Sequence, residues 1–374
     1  MITAYIGLGS NLGDRQGFIK RALELLAGTE GVQLSRASDI METEPLGKAD
    51  QPSYLNAVAE LQTTLSPEQL HRRLIEIETL LGRERTEKWS SRIIDLDLLL
   101  YGDDIINSPD LTVPHRQMHL RSFVLQGLCQ LNCGLMHPVM NETVGELAIR
   151  LAGADFVRNR NQAQLISVAG IIGVGKTTLA KNLSAALGCK LLLEPYDKNP
   201  FLPDVYAGKK ELALDSQLYF LTARVRQLSR RTLPPGQIAL ADYVFDKEHI
   251  YARRLLNTQQ LGLYEVIYRR FCGDVSPPVL VLYLRDSAER CLQRIRDRNR
   301  PYEQEIELPF LEALSYDYEQ LFADWNVCPV IRIAMSEFNC RRKEDVERLA
   351  QQVRFYVSGT KERSTAAAVK QAQH

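Results

Sequence analysis

Along the first 155 or so residues the apolar positions change period from one stretch to the next. Ala4–Leu8 reads as a strand, and Gly9-Ser10-Asn11-Leu12-Gly13 as a turn. Ile19, Leu23 and Leu26 then recur at helical spacing over Arg15–Leu26. Alternating stretches follow at Val32–Glu42 and Tyr54–Thr63. Ser66-Pro67-Glu68 predicts a helix start, with Ser as N-cap and Pro in the first turn. Leu70, Leu74, Ile77 and Leu81 mark the buried face of that helix, and Gly82 its end. Trp89–Gly102 is the next strand and Ser122–Gln130 the last helix. Mixed strands and helices with antiparallel-looking alternation predict an α+β domain.

After polar Asn159–Gln164 the pattern becomes a βα repeat. Strands are expected at Leu165–Ala169, Lys190–Leu193, Gln237–Ala241 and Val279–Leu284, with a helix over Lys176–Leu187 and helical stretches between the others. That pattern predicts a parallel, helix-covered sheet. A chain of 374 residues exceeds one typical core. The expected division is 1–160 and 165–357, with a small, polar tail at 358–374 expected to lack structure. No internal repeat relates the two halves.

Composition excludes several classes. Lys plus Arg and Asp plus Glu both number 46, so no broad basic field points to nucleic acid. No apolar run approaches a membrane span, and the N-terminus lacks a secretory pattern. The seven cysteines are scattered without a CxxC pair, and the six histidines show no metal-ligand spacing. Reduced structural thiols in a cytoplasmic protein are expected.

The Trp89–Gly102 stretch sets Asp95 and Asp97 among Ile93, Ile94, Leu96, Leu98, Leu99 and Leu100. Residues i and i+2 of a strand share a face, so the two carboxylates converge while Ile94, Leu96 and Leu98 pack behind. Paired carboxylates repel unless a cation neutralises them, and hard cations such as Mg²⁺ suit such oxygens. The bland alternative is two aspartates on a solvated face. Arg83, Arg85, Lys88 and Arg92 crowd the preceding segment, as groups for a polyphosphate would, and Val113–Leu125 adds His115 and Arg121.

The motifs YIGLGSNLGDR, ETEPLG, DQPSYLNAVAEL, IETLLGRER, KWSSRIIDLDLLLYG, LTVPH and RSFVL run in the order found in 6-hydroxymethyl-7,8-dihydropterin pyrophosphokinases. Residues 1–155 thus resemble that family, whose fold is a ferredoxin-like α/β sandwich. The resemblance implies pyrophosphate transfer from ATP to a pterin hydroxymethyl group in folate synthesis, releasing AMP. It implies Asp95 and Asp97 as ligands of two Mg²⁺ ions, and Arg83 and Arg92 as stabilisers of developing phosphate charge. Glu78, Thr112, His115 and Arg121 would contact the nucleotide. Thr43, Leu46, Tyr54, Asn56 and Phe123 would form the pterin pocket, with Trp89 on a loop closing over it. Ser90-Ser91 departs from the family's usual Gly-Pro.

Gly170–Thr177 fits GxxxxGK[ST] between an apolar strand and a helix, the context that gives the motif meaning. Gly170, Gly173 and Gly175 let backbone N–H groups wrap phosphates at a helix N-terminus, next to Thr178. Lys176 adds a cation and Thr177 a Mg²⁺ ligand. Glu194 ends the second strand, where a carboxylate faces the phosphate crevice. Arg294, Arg296, Arg298 and Arg300 lie on a helix end running into a loop, as in a lid closing on transferring phosphate.

E-P, N-P-F-L, Tyr206 eleven residues before Gln217, Arg224 seven after it, and R-I-x-x-R-x-R with Glu303 resemble the deoxyribonucleoside kinases over 165–340. That resemblance implies Glu194 as general base on a 5′-hydroxyl and Gln217 on the base. Tyr206 and Glu303 would hold the 3′-hydroxyl, and Arg294, Arg298 and Arg300 the phosphate. Asp242-Tyr243 stands where the family has an acid followed by Arg, so the usual arginine contact is missing. The base is left open, with a purine such as deoxyadenosine as the guess. Two other readings stay open: a nucleotide-responsive regulatory module, and a nucleoside monophosphate kinase in which Arg224 holds the acceptor phosphate. ATP and Mg²⁺ are the expected cofactors and small molecules the partners, with a homodimer through the kinase half by resemblance.

Overall fold

The computed structural model describes residues 1–45, 51–83, 92–156, 159 and 161–357. It divides into two compact units, Met1–Val157 and Arg158–His374. The expected tail at 358–374, and the expectations for Leu46, Trp89, Ser90 and Ser91, fall outside the described residues.

The first unit is built on strands β1 (Ile2–Ser10), β2 (Val32–Ala37), β3 (Met41–Thr43), β4 (Tyr54–Thr63) and β5 (Asp95–Tyr101). They form an antiparallel sheet of order β2-β4-β1-β5, with β3 added to β4. Helices α1 (Arg15–Ala27) and α2 (Pro67–Leu80) pack on one face. Ile6, Leu8, Leu96 and Leu98 of the sheet meet Ile19 and Leu26 of α1 and Leu70, Leu74 and Ile77 of α2. Ser66 and Gln69 form a reciprocal capping box at the start of α2, satisfying two backbone donors. Short hairpins follow: β6 (Ile106–Asn107) with β7 (Thr112–Val113), and β8 (Met136–His137) with β9 (Glu142–Thr143). Helices α3 (Ser122–Asn132) and α4 (Val144–Leu151) pack together. Helix α3 lies on the sheet face opposite α1 and α2, so close that a Cβ on Gly127 would sit 2.6 Å from Val58.

The second unit has five parallel strands: β10 (Gln164–Ala169), β11 (Lys190–Leu192), β12 (Ile238–Ala241), β13 (Leu280–Arg285) and β14 (Val330–Ala334), in the order β11-β12-β10-β13-β14. Its helices are α5 (Lys176–Leu187), α6 (Leu202–Tyr206), α7 (Ala213–Leu228), α8 (Lys247–Leu255), α9 (Thr258–Phe271), α10 (Ala288–Arg298), α11 (Leu308–Ala323) and α12 (Lys343–Tyr356). Central β10 is buried along its whole length, which accounts for its largely apolar sequence around Gln164 and Ser167. Its C-terminal end feeds the phosphate-loop motif into α5. Ligand crevices of parallel sheets lie at that end.

Candidate active sites

In the first unit strand register assembles the site. Asn56 of β4, Gly9 of β1 and Asp95 of β5 stand in one row across the sheet, and Val58, Gly7 and Asp97 in the next. Rows of paired residues share a face, so the two aspartates look across bare backbone toward Asn56 and Tyr54. A Cβ on Gly9 would meet Asn56 Oδ1 at 3.0 Å. The two glycines therefore let an amide wall and a carboxylate wall approach across a shallow trough, with Leu99 packed over Gly7, where a Cβ would meet it at 3.4 Å. Asn56 Nδ2 donates to Thr43 Oγ1 over 2.8 Å, which fixes the amide edge.

The carboxylate wall is held by cations. Asp95 takes Arg83 Nη1 at 2.6 Å on one oxygen and Arg92 Nη1 at 2.5 Å on the other. Arg83 also pairs with Glu78, whose Oε1 accepts the Leu96 N–H at 2.7 Å. Burial of Glu78 outweighs both contacts and pushes its carboxyl up to about 7. Asp97 is held more loosely, with Arg121 Nη1 at 3.5 Å and His115 Nε2 at 4.0 Å. Burial pushes its carboxyl up, but His115, Arg121, Arg92 and Arg83 together hold it below the ordinary value. His115 is lowered by burial, against Asp97. A cis Val113–Pro114 bond precedes His115, whose N–H donates to Leu99 O. Phe123 stands in the first turn of α3, next to Arg121. Thr112 lies apart from these contacts, accepting from Arg116 Nε at 2.9 Å.

Two convergent carboxylates, one of them weakly engaged, fit Mg²⁺, which takes one or two carboxylates and fills its shell with phosphate oxygens and water. A residue absent from the expected set is Asn11. It is 1% exposed, its Oδ1 accepts the Arg92 N–H at 2.6 Å, and its Nδ2 donates to Pro52 O at 3.3 Å. The signal was its place in the glycine-rich turn after β1.

In the second unit a cavity of about 1280 Å³ opens beside the phosphate loop. Gly173, Lys176, Thr177, Thr178, Glu194, Tyr206, Gln217, Arg224, Arg294, Arg298, Arg300 and Glu303 all line it, so this group of expected residues is brought together. Gly170 stands at the head of the loop, and Gly170, Gly173 and Gly175 all have positive φ. A Cβ on Gly173 would lie 2.4 Å from Cys291 O in α10, which no other residue type could accommodate without displacing backbone. Lys176 Nζ donates to Gly170 O and Ile171 O at 2.8 Å each. Burial, reinforced by Lys247, lowers its ammonium to about 8. Thr177 Oγ1 donates to Asp242 Oδ2 at 2.7 Å, and the other oxygen of Asp242 accepts the Glu194 N–H at 2.8 Å. The Thr177 hydroxyl at the mouth of this loop fits a Mg²⁺ shared with phosphate oxygens.

Both oxygens of Glu194 meet cations: Oε1 takes Arg224, with Nε at 2.9 Å, and Oε2 takes Lys247 Nζ at 2.6 Å. Burial pushes this carboxyl up, but Arg224 and Lys247 outweigh it and hold it far below the carboxylate range. Arg224 turns its other edge to Glu248, which also accepts the Tyr264 hydroxyl. Lys247 was not among the expected residues. Tyr243 sends its hydroxyl to Gln227 Oε1 at 2.5 Å, and the cation near Glu194 comes instead from the first residue of α8. At the C-terminal end of α10, Arg298 Nη2 pairs with Glu303 Oε2 at 2.5 Å. Arg300 donates to the Tyr196 hydroxyl at 2.6 Å and stacks on its ring. Arg294 donates to Asp286 Oδ2 at 2.5 Å and to Gly173 O at 3.4 Å, tying α10 to the phosphate loop.

No described helix is long and apolar enough to cross a membrane. Residues 5–133 match the model of the 7,8-dihydro-6-hydroxymethylpterin-pyrophosphokinase family, and residues 166–358 that of the deoxynucleoside kinases. The chain is 42% identical over 151 residues to the 2-amino-4-hydroxy-6-hydroxymethyldihydropteridine pyrophosphokinase of Haemophilus influenzae, covering 40% of this chain and 94% of that one. It is 39% identical over 162 residues to the deoxyguanosine kinase of Bacillus subtilis, covering 42% and 78%. A solved structure of deoxyadenosine kinase from M. mycoides with bound dATP aligns at 26% identity and TM-score 0.44, over 51% of this chain and 99% of that one. The chain therefore belongs to two enzyme families at once, a dihydropterin pyrophosphokinase in its first unit and a deoxynucleoside kinase in its second.

Proposed function

We propose that the first unit transfers pyrophosphate from ATP to 6-hydroxymethyl-7,8-dihydropterin, releasing AMP, and that the second phosphorylates the 5′-hydroxyl of a purine deoxynucleoside, releasing ADP. The observation that carries this reading is the pair of cation-held carboxylate sites, each beside its own phosphate-binding groups and each shaped for a different acceptor. In the first, the glycine-floored trough suits a flat ring read by the Asn56 amide, with Tyr54 and Thr43 beside it, and the family resemblance adds Leu46, Trp89 and Phe123 to the pterin pocket. Arg83 and Arg92 face the developing charge, and Glu78, Thr112, His115 and Arg121 serve the nucleotide. Mg²⁺ held by Asp95 and Asp97, and in the second unit by Thr177, would neutralise the phosphate oxygens that bond cleavage leaves charged.

In the second unit Glu194 accepts the hydroxyl proton as phosphoryl transfer proceeds. Gln217, 3% exposed, reads the base, Tyr206 and Glu303 hold the sugar, and Arg294, Arg298 and Arg300 serve the phosphate. The likeness to a deoxyguanosine kinase supports a guanine base. Arg224 is committed to Glu194 and Glu248 and is 4% exposed, which argues against its holding an acceptor phosphate and so against a monophosphate kinase. A purely regulatory module would have no use for a carboxylate aimed at the phosphate crevice. A homodimer of the kinase half is part of this reading, supported by the apolar stripe Gly262, Leu263 and Val266 exposed on α9, and a cytoplasmic location with small-molecule partners completes it.

The test is product identity. With ATP and hydroxymethyl-dihydropterin the chain should form AMP, and with ATP and a deoxynucleoside panel it should form ADP, fastest with deoxyguanosine. Absence of AMP in the first assay, or of ADP across the whole panel, would refute the corresponding half.

A further inference from the structure

Two cations hold Glu194, and they are not equivalent. Arg224 is a fixture: one edge pairs with Glu194, the other with Glu248, which is wholly buried, and its guanidinium lies 4.8 Å over the Phe220 ring. Releasing Arg224 would strand Glu248 as an uncompensated buried charge, a change costing several kcal/mol. Among the described residues Lys247 pairs with one carboxylate, Glu194, and otherwise faces the rings of Tyr251 at 5.3 Å and Tyr243 at 6.0 Å.

The position of Lys247 is unfavourable for a lysine in three ways. It is 5% exposed, so its ammonium is desolvated. It opens α8, where the helix dipole favours anions. It shares the site with two further cations, Arg224 and Lys176. Arg224 meets Glu194 on Oε1 alone and shares its one charge with Glu248, so Lys247 completes the charge balance of the two carboxylates. Lys247 meets the other oxygen, and Lys247 and Glu194 both line the cavity. A carboxylate oxygen has two lone pairs, so Oε2 can keep Lys247 on one and accept a substrate hydroxyl on the other.

We propose that Lys247 is the positioning residue of the kinase reaction: it fixes Glu194 through Oε2 so that the free lone pair of that oxygen meets the nucleoside hydroxyl, while Arg224 anchors the opposite oxygen to the scaffold. This rests on Glu194 being the base. The proton passes from the hydroxyl to Oε2 as the oxygen attacks the γ-phosphorus and the bond to ADP breaks. Lys247 exchanges no proton and acts through Glu194.

The test compares Lys247→Met, Lys247→Arg, Glu194→Gln and the Lys247→Met/Glu194→Gln double variant in the full chain, with ATP and deoxyguanosine. ADP formation, binding of a fluorescent ATP analogue and thermal unfolding are measured. Lys247→Met is expected to lower kcat by roughly 30- to 100-fold with KM for ATP within about two-fold, and Lys247→Arg to recover to within about five-fold. The double variant is expected to be no slower than Glu194→Gln alone, because the two residues act as one unit. The proposal is overturned if Lys247→Met keeps kcat within about three-fold of the unmodified chain. It also falls if the losses in the double variant multiply, or if Lys247→Arg unfolds like the unmodified chain yet stays as slow as Lys247→Met. If Lys247→Met unfolds, Lys247→Arg alone decides. If the unmodified chain forms no ADP from any nucleoside, the reading of Glu194 as base fails first, and this inference with it.

Discussion

In the first unit the groups proposed to face phosphate are side chains on one sheet and the loops beside it, with Asp95, Asp97, Arg83, Arg92 and Arg121 arranged beside the glycine backbone of β1. In the second they are chiefly backbone N–H groups of a glycine loop at a helix N-terminus, with Lys176 and Thr177 added. On the proposed reading the same ligand class is thus met by charge placement in one case and by main-chain shape in the other. A site made of charges fails when a charge is removed. A site made of main-chain shape fails when a side chain is added.

The largest expected effect separates the two chemistries. Asp97→Ala should lower AMP formation by about 10³-fold or more and leave ADP formation intact, and Lys176→Ala should do the reverse. Loss of both activities in either variant would end the claim of two independent sites. Next, Gly173→Ala should weaken nucleotide binding in the second unit by roughly 100-fold, because its Cβ would press on Cys291 O and its φ is +83°. Titration with a fluorescent ATP analogue measures this, and near-native binding would show that loop shape is not what holds phosphate.

A third contrast concerns pH. Burial lowers His137 to about 4, from an ordinary 6.5. The unfolded chain takes up a proton as pH falls through 6.5 while the folded first unit does not, so stability is lost from pH 6.5 down to about 4. At pH 5 the loss is about 2 kcal/mol. His137→Asn keeps an acceptor for the Met140 N–H and should flatten the acid-side fall in the unfolding midpoint. An unchanged slope would remove His137 from the explanation. The smallest effect tests the trough: Gly9→Ala should raise KM for the pterin about ten-fold with little change in unfolding temperature, since the new Cβ meets Asn56 Oδ1 at 3.0 Å.

What was legible in the sequence was what is local. Asp95 and Asp97 are two residues apart in one strand, and the phosphate loop is one contiguous motif, so both could be read from spacing. The α+β character of the first half and the parallel sheet of the second followed from periodicity. Helix α4 was overlooked, although Thr143 and Glu146 carry a capping box at its start. The trough could not be read, because it depends on Gly7 and Gly9 pairing with residues roughly 50 and 90 positions away, and nothing near a glycine in sequence says what stands opposite. At Asp242-Tyr243 the sequence suggested a missing cation. The fold supplies one from Lys247, which the turn after β12 carries back to Glu194. Arg224 looked available to a ligand because a single chain of letters cannot show that Glu248 claims its other edge.

Asn11 gives the first unit a mechanical property as well as a contact. Through one side-chain amide it touches Pro52, where the chain re-enters the sheet toward β4, and Arg92, where it re-enters toward β5. These two re-entry points flank the stretches that carry Leu46 and Trp89. One short side chain is therefore a common post for both re-entry points. The stretch entering β4 and the stretch entering β5 share a single side-chain anchorage.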